Sequence, residues 1–166
     1  LNRTVGALED DDIERVFQRI VSRSNEAAAR VARRAQNRVA ARAKEGVAKG
    51  PKTGRIYTHR FPSVFEGGPR NEADRRNRAH QASRAGEYPA ADTGNLGRSI
   101  HEVDEAPEGG ADIHRRDVAA DASYAVPLEM KPPEKGGRPF LGRALLEETD
   151  AIVGDMVDEL FKALGE

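Results

Sequence analysis

The feature that most constrains the fold is a run of about 35 residues without glycine or proline near the start of the chain. Three aspartates, residues 10–12, precede it, and carboxylates there suit the positive end of a helix dipole. The glycines at positions 46 and 50, followed by Pro51, mark its end. Small or apolar residues recur within the run mostly every three or four positions, at Ile13, Phe17, Ile20, Ala28, Val31, Ala35, Val39 and Ala43. This period predicts one amphipathic helix over residues 13–49, after an N-terminal tail over residues 1–12.

Composition favours a single domain with a small core. The chain has 166 residues, of which 37% are hydrophobic and 33% charged, and its mean hydropathy is -0.72. Such a protein often needs partner subunits to bury its remaining apolar surface. The absence of cysteine excludes disulfides and thiolate metal sites. No stretch has the length and apolarity of a membrane span or a signal peptide, so we expect a soluble protein made in a cytoplasm.

The net charge of -1 conceals a strong asymmetry along the chain. Residues 15–100 contain 19 basic residues against seven acidic ones, whereas residues 101–166 contain seven against sixteen. A chain of this kind can bind nucleic acid with its basic part, or it can bind copies of itself with basic surface against acidic surface. The sequence alone leaves both possibilities open.

Residues 50–91 carry too many turn formers for a long regular element. The only strand that we expect there is short, around residues 55–60, where Ile56 and Tyr57 lie. Arginines are frequent in the same region, so we interpret it as an extended basic loop or arm.

A small antiparallel sheet is predicted over residues 92–137. Residues 99–105 and 111–120 read as a hairpin around a Pro/Gly turn, and residues 124–130 as a short helix or strand. A C-terminal helix over residues 138–164 follows, with Pro139 in its first turn and the strongest core pattern in the chain. The fold class is therefore α+β: a long N-terminal helix and a C-terminal helix packed on a small antiparallel sheet, with a long basic loop.

Three short motifs stand in order in the second half of the chain. The first is D-T-G-N-L-G-R-S-I at residues 92–100, the second is Y-A-V-P-L-E at residues 124–129, and the third is R-P-F-L-G-R-A-L at residues 138–145. The residues and the order of these three motifs resemble those of the tail-completion, or minor tail protein, family of lambdoid long-tailed bacteriophages and phage-like gene transfer particles. The resemblance covers about residues 88–164, and residues 80–90 look like the segment that many relatives carry before the first motif. The matching positions are Asp92, Thr93, Gly94, Leu96, Ser99, Ile100, Tyr124, Ala125, Glu129, Arg138, Pro139, Phe140, Leu141, Ala144 and Leu145.

The resemblance implies a structural virion protein of the head-to-tail junction, not an enzyme, whose matching residues have structural roles. It implies a ring, expected to be a homo-hexamer, that contacts neighbouring neck and tail-tube proteins and is assembled in the bacterial host cytoplasm. Transient contact with packaged DNA is conceivable, and no cofactor or membrane is implied. The chain departs from the family pattern at Met130-Lys131-Pro132, where many relatives have an aromatic residue, glycine and threonine.

Catalytic motifs are few. The triplet at Asp92, Thr93 and Gly94 is also the signature of aspartic proteases, in which two such aspartates share a proton. Those enzymes place the triplet after a bulky apolar strand, whereas here Tyr88-Pro89-Ala90-Ala91 precedes it. We therefore interpret the triplet as a turn in which Asp92 or Thr93 caps a short helix.

The four histidines are widely spaced, and none has a second ligand at helical spacing. A hairpin could bring His101 and His114 together as a weak metal site. We favour surface or interface roles for all four: His59, His80, His101 and His114.

Arginines of the long helix and of the basic loop are the candidate interface or DNA-facing residues. They could neutralise phosphates without reading sequence, which gives the alternative function of a non-enzymatic, sequence-independent nucleic-acid-binding protein. We favour a solvated helix face with salt bridges between subunits to the acidic third of the chain. The candidates are Arg30, Arg34, Arg38, Arg42, Arg55, Arg60, Arg75, Arg76 and Arg78.

Overall fold

The computed structural model describes residues 10–59, 78–91, 93–103 and 114–165. Its helices and strands confirm the α+β class, with a long N-terminal helix, a long C-terminal helix and small two-stranded sheets. In chain order the elements are α1 (Asp10–Lys49), β1 (Ile56–His59), β2 (Arg78–Gln81), α2 (Asn95–Ser99), β3 (Ile100–Val103), β4 (Asp117–Ala120), α3 (Ala125–Met130), a 3-10 turn (Pro133–Lys135) and α4 (Leu141–Gly165).

Helix α1 begins at Asp10, so the aspartates form its first turn rather than preceding it. Its 40 residues extend over about 60 Å at the usual rise of an α-helix. Ala40 and Ala43 are fully buried, which confirms that small side chains in the second half of this helix allow close packing.

The basic region contains a sheet that the sequence did not predict. Strands β1 and β2 pair antiparallel, from Ile56 opposite Gln81 to His59 opposite Arg78. The expectation of an extended loop with one short strand was therefore wrong for residues 78–81. Strand β2 reads R-A-H-Q and has no β-branched or aromatic residue, so its pairing is decided by the backbone of β1 and not by local propensity.

Strands β3 and β4 pair in a second two-stranded sheet, as the hairpin prediction required. The turn expected between them, within residues 104–113, lies outside the described residues. Residues 125–130 form a helix, which decides between the two forms expected there.

The chain divides into two compact units. The first comprises the described residues of Leu1–Arg38, Glu102–Asp117 and Glu147–Glu166, and the second those of Val39–His101 and Val118–Leu146. Phe140, Ile100 and Val47 are the largest fully buried side chains, and all three belong to the second unit.

The first unit is built differently. Gln36 is 4% exposed, and its amide donates to the carbonyl oxygens of Val103 at 3.0 Å and Asp117 at 2.8 Å. These bonds tie α1 to the ends of β3 and β4 that lie in this unit. The other buried residues here are Ala27, Val31, Glu159 and Ala163.

Helix α4 begins at Leu141, two residues after Pro139. The expectation that it carries the strongest core pattern is only partly met, because many of its large apolar side chains are exposed. These are Leu145, Leu146, Val153, Met156, Val157, Leu160, Phe161 and Leu164. None of the helices in the described part of the chain is both long and apolar enough to cross a membrane.

Candidate functional site

A cleft of about 540 Å³ in the second unit is lined by residues from all three motifs. The motif positions among them lie between residues 93 and 138, and tertiary folding brings them to one surface. Thr93, Gly94, Asn95 and Leu96 come from the first motif, Tyr124 and Leu128 from the second and Arg138 from the third. The remaining lining residues are Val47, Tyr57, His80, Ala82, Ser83, Pro89, Ala90 and Ala91.

The first motif forms a turn into the short helix α2. Gly94 precedes the helix with φ 74°, a left-handed conformation that glycine adopts without steric cost. The cap is therefore the backbone of Gly94, which corrects the expectation of a side-chain cap from Thr93. The Thr93 hydroxyl accepts only a long bond, 3.4 Å, from the backbone N–H of Asn95. Asp92 lies outside the described residues.

The remainder of this motif connects α2 to β3. The Ser99 hydroxyl donates to the Leu96 carbonyl oxygen at 2.8 Å, which closes the helix end. Leu96 and Ile100 are 5% and 2% exposed, so both point into the core of the second unit. The motif thus places one polar bond at the surface and two apolar side chains inside.

The second and third motifs meet through one carboxylate. Glu129 Oε2 accepts from the backbone N–H groups of Phe140 at 2.7 Å and Leu141 at 3.0 Å, and its Oε1 accepts from Gly142 at 2.8 Å. The first N–H groups of a helix have no partner inside the helix, and they form its positive end. Glu129 therefore caps α4 with a full charge from a residue eleven positions upstream.

Arg138 connects the third motif to the segment before the first. Its Nε and Nη2 donate to the Ser83 carbonyl oxygen at 3.2 and 3.0 Å, and its backbone N–H donates to the Leu128 carbonyl oxygen at 2.8 Å. Ser83 is itself buried, and its hydroxyl accepts from Ala90 at 3.2 Å. Arg138 thus holds one wall of the cleft in place.

The floor below the third motif is aromatic. Phe140 is fully buried, whereas its neighbours Pro139 and Leu141 are half-buried. Tyr88 is 3% exposed, and the Arg143 guanidinium lies over its ring at 4.8 Å from the centroid. A methyl group at Gly46 would overlap the Tyr88 ring, so only glycine permits this contact.

One carboxylate near the cleft has a shifted pKa. The Thr53 hydroxyl and then the Arg84 backbone N–H donate to Glu87, and these bonds hold the pKa of Glu87 below its usual value. These hydrogen bonds stabilise the charged form of Glu87. They also hold the turn at residues 84–87, which precedes the buried Tyr88.

The polar side chains at the cleft include the hydroxyl groups of Tyr57 and Tyr124 and the imidazole of His80. They stand beside apolar lining from Val47, Leu96 and Leu128. His101 Nδ1 lies 3.0 Å from the Ser99 carbonyl oxygen in the second unit, and His114 belongs to the first. Across the described ranges, no group of three or more His, Asp or Glu residues is arranged to hold a metal ion.

The arginines of α1 pair with acidic residues of α4 inside the first unit. Arg30 and Arg34 bond to Glu159 at 3.1 and 2.7 Å. Arg38 lies 3.7 Å from Glu148 and 3.3 Å from Asp155. For these three arginines the basic-to-acidic pairing that we expected between subunits is formed within one chain, which corrects that expectation.

Glu159 is the centre of this ion-pair cluster. It is 8% exposed, and the guanidinium groups of Arg34 and Arg30 lower its pKa to about 2. The same pairing holds the pKa of Arg34 above its usual value. A buried carboxylate requires such partners, so the cluster joins α1 to α4 specifically.

The other candidate arginines have different surroundings. Arg42 lies near the Tyr88 ring at 5.9 Å and near Glu45 at 3.5 Å, and Arg55 stacks over Tyr57 at 5.7 Å. Arg78 is part of β2. Arg60, Arg75 and Arg76 lie outside the described residues.

Sequence reasoning missed the roles of Glu129 and Glu159. Glu129 was a motif position without an assigned contact, and no local pattern indicates that it accepts from backbone N–H groups eleven to thirteen residues later. Glu159 had a usable signal. Acidic residues at 148, 155 and 159 share one side of α4, and arginines at 30, 34 and 38 share one side of α1.

Comparison of the chain with protein-family models, curated proteins and solved structures found no match.

Proposed function

We propose that this protein is a structural component of the head-to-tail junction of a phage or phage-like gene transfer particle, where it forms a ring that connects or completes the tail. In this proposal the protein has a role in assembly, without a catalytic step and without a cofactor. The partners are copies of itself and the neighbouring neck and tail-tube proteins.

One observation carries the proposal. The three motifs behind the resemblance converge on one packed unit, in which Glu129 of the second motif caps the helix that the third motif begins. Residues of different motifs that hydrogen-bond to one another form one structural element, as we would expect of the shared scaffold of a protein family. Their roles here are capping, turn formation and core packing, and these support a structural protein.

The exposed apolar side chains of the first unit add a second argument. Eleven large apolar residues of α1 and α4 in this unit are more than a third exposed. Contiguous apolar surface of this kind is typical of proteins that bury it against partners. The unit is therefore suited to assembly.

Imaging of particles tests the proposal directly. We expect a tag on the chain to appear at the junction between head and tail in electron micrographs of purified particles. A tag found along the tail, or absent from particles, would contradict the proposal. A second tagged particle protein of known position serves as the control for labelling.

The second candidate is a sequence-independent nucleic-acid-binding protein. Arg19, Arg23 and Arg33 favour it, because these exposed α1 residues have no ion-pair partner among the residues that the structure describes. Three cations along a helix can contact phosphates, although the pairing of Arg30, Arg34 and Arg38 with α4 reduces the available charge.

Light scattering and DNA binding over a salt series separate the two candidates. A ring protein assembles at low salt without DNA, and its DNA affinity is weak at every salt concentration. A monomer whose DNA affinity falls steeply with salt would favour the nucleic-acid-binding function.

A further inference from the structure

Helix α4 presents its charges to α1 and its large apolar side chains to the opposite side. The residues that pair with α1 arginines are Glu148, Asp155 and Glu159. At 100° per residue these three fall within about 40° of the helix circumference. Val153, Val157, Leu160 and Leu164 fall within about 60° on the other side, and each is 45–55% exposed.

An ordinary surface helix turns its apolar side toward its own core, whereas α4 leaves this apolar stripe uncovered. The ion pairs fix the rotation of α4, so the helix cannot turn its apolar stripe toward α1 without losing the partners of Glu159. The stripe is thus a stable feature of the first unit.

Helix α1 carries a second uncovered stripe near its beginning. Ile13, Phe17 and Ile20 are 52%, 63% and 37% exposed, and they share one side of the helix. Further along, the same side carries Ala27 and Val31, which are buried. The pairing of Arg34 with Glu159 and of Arg38 with Glu148 shows that α4 runs antiparallel to α1.

The position at which α4 ends explains why the apolar stripe on α1 is exposed. Only six residues follow Glu159 before α4 ends at Gly165, a length of about 9 Å. Glu159 pairs with Arg30 and Arg34, so α4 ends before it reaches Ile20. The first three turns of α1 therefore extend beyond the helix that covers the rest of that side.

Unpaired charges of opposite sign lie near the two stripes. Arg23 lies about 60° around α1 from the edge of its stripe, and Arg19 about 100°. Asp150 lies about 20° around α4 from the edge of its stripe, and Asp158 about 100°. All four are exposed, and none has an ion-pair partner within the described part of the chain. The two surfaces are therefore complementary in apolarity and, most closely at Arg23 and Asp150, in charge.

We infer that the α1 stripe of one copy docks on the α4 stripe of a second copy of this chain. The contact uses two different surfaces, so each copy keeps one surface of each kind for the next neighbour, and a ring can close. This inference rests on the proposed function for its biological setting, since it names the subunit contact of the proposed ring.

Two blocked variants test the pairing. Phe17→Asp with Ile20→Asp blocks the α1 stripe, and Val157→Asp with Leu160→Asp blocks the α4 stripe. We expect each variant alone to be monomeric in sedimentation velocity over a concentration series. A 1:1 mixture should give a dimer that grows no further, because only one intact stripe of each kind remains.

A control variant changes two apolar residues elsewhere that are at least as exposed as those in the blocked variants. Val126→Asp with Met130→Asp on α3, where the side chains are 66% and 76% exposed, should assemble as the wild type does. Circular dichroism and thermal unfolding of every variant establish that the fold is retained. A blocked variant that still dimerises alone, a mixture that stays monomeric, or a wild type that never assembles would overturn the inference.

Charge reversal provides an independent arm. Arg19→Glu with Arg23→Glu, made in the variant with the blocked α4 stripe, should weaken the mixed dimer at least about tenfold. Asp150→Arg with Asp158→Arg in the other copy should restore most of the affinity. Failure of the reversed pair to recover would contradict the proposed charge pairing.

The outcomes separate this inference from the proposed function. If the wild type assembles but the mixture does not, the subunit contact is elsewhere and the junction role is untouched. If the mixture dimerises as expected but tagged chain is absent from particles, the contact is correct and the junction role is wrong.

Discussion

The two units of this protein differ in the large side chains that they bury. The second unit buries Phe140, Tyr88 and Ile100, while charged cap and turn residues remain near its surface. The first unit buries Glu159 among arginines and leaves Phe161 and Phe17 exposed. The second unit therefore has a core of large apolar side chains, whereas the first unit leaves most of its large apolar side chains exposed to a partner.

The difference also separates the two kinds of sequence signal. The motifs that resemble a known family contribute part of the cleft lining, the cap and several core residues of the second unit, among them Leu96, Ile100 and Phe140. The first unit contains most of α1, which the motifs do not cover. The recognisable motifs therefore lie in the packed scaffold, and the surfaces that we propose for assembly lie mainly outside them.

The largest expected difference between the two units is in the effect of replacing a phenylalanine on the free energy of unfolding. Phe140→Ala should lower the free energy of unfolding by roughly 3–5 kcal/mol, because it leaves a cavity in a fully packed site. Phe161→Ala, at a side chain that is 71% exposed, should change it by less than about 0.5 kcal/mol in dilute monomer. Urea unfolding measures both. Equal losses would remove the distinction between the two units.

Glu129→Gln tests the cap that joins two motifs. The amide keeps the shape but loses the negative charge at the start of α4, so we expect a loss of roughly 1–2 kcal/mol in unfolding free energy. Glu134→Gln, at an exposed residue of the 3-10 turn, is the matched control and should have little effect. A neutral result at Glu129 would show that the cap contributes nothing to the second unit.

Acid should weaken the first unit through Glu159. Its pKa is about 2 in the folded chain against 4.5 for an ordinary glutamate, so its ion pairs stabilise the fold above pH 4.5. That contribution is lost as the pH falls from about 4.5 to about 2, because the unfolded chain binds the proton first. Thermal unfolding over this range should show a smaller decrease in Tm for Glu159→Gln than for wild type. Asp158→Asn in dilute solution is the control and should follow the wild type.

The smallest expected effect concerns the turn next to Tyr88. Thr53→Val removes the hydroxyl that donates to Glu87, so the pKa of Glu87 should rise toward its usual value. An NMR pH titration of the Glu87 side chain measures the change. The free energy of unfolding should change little, since the bond is exposed to solvent. An unchanged pKa would show that the Arg84 backbone bond alone maintains the shift.

The long helices and the fold class were predictable because their signals are local. The period of the apolar residues and the absence of glycine and proline in α1 act within one element, as does the proline ahead of α4. Strand β2 was missed for the opposite reason. Its sequence is not strand-like, and the β1 residues that it pairs with lie 19 to 25 positions away in sequence.

In the candidate site, too, local features were predictable and contacts between distant residues were not. Motif spacing indicated that residues around 94, 124 and 138 belong together, but not that they line one cleft. The side chain of Thr93 does not cap α2, because Gly94 occupies the N-cap position. Gly94 does so in a left-handed conformation that glycine adopts without steric cost. The arginines of α1 were identified as a charged surface, and their partners on α4 were not.

The sequence by itself determined the α+β class, the two long helices, the separation of basic and acidic halves and the positions of the three motifs. Each of these depends on residue type and on spacing along the chain. Only the tertiary structure decided that Glu129 caps α4, that arginines on α1 neutralise Glu159, and that the apolar stripes of both helices remain uncovered. These depend on which faces meet in space, and the rotation of α4 is fixed by ion pairs between residues more than one hundred positions apart.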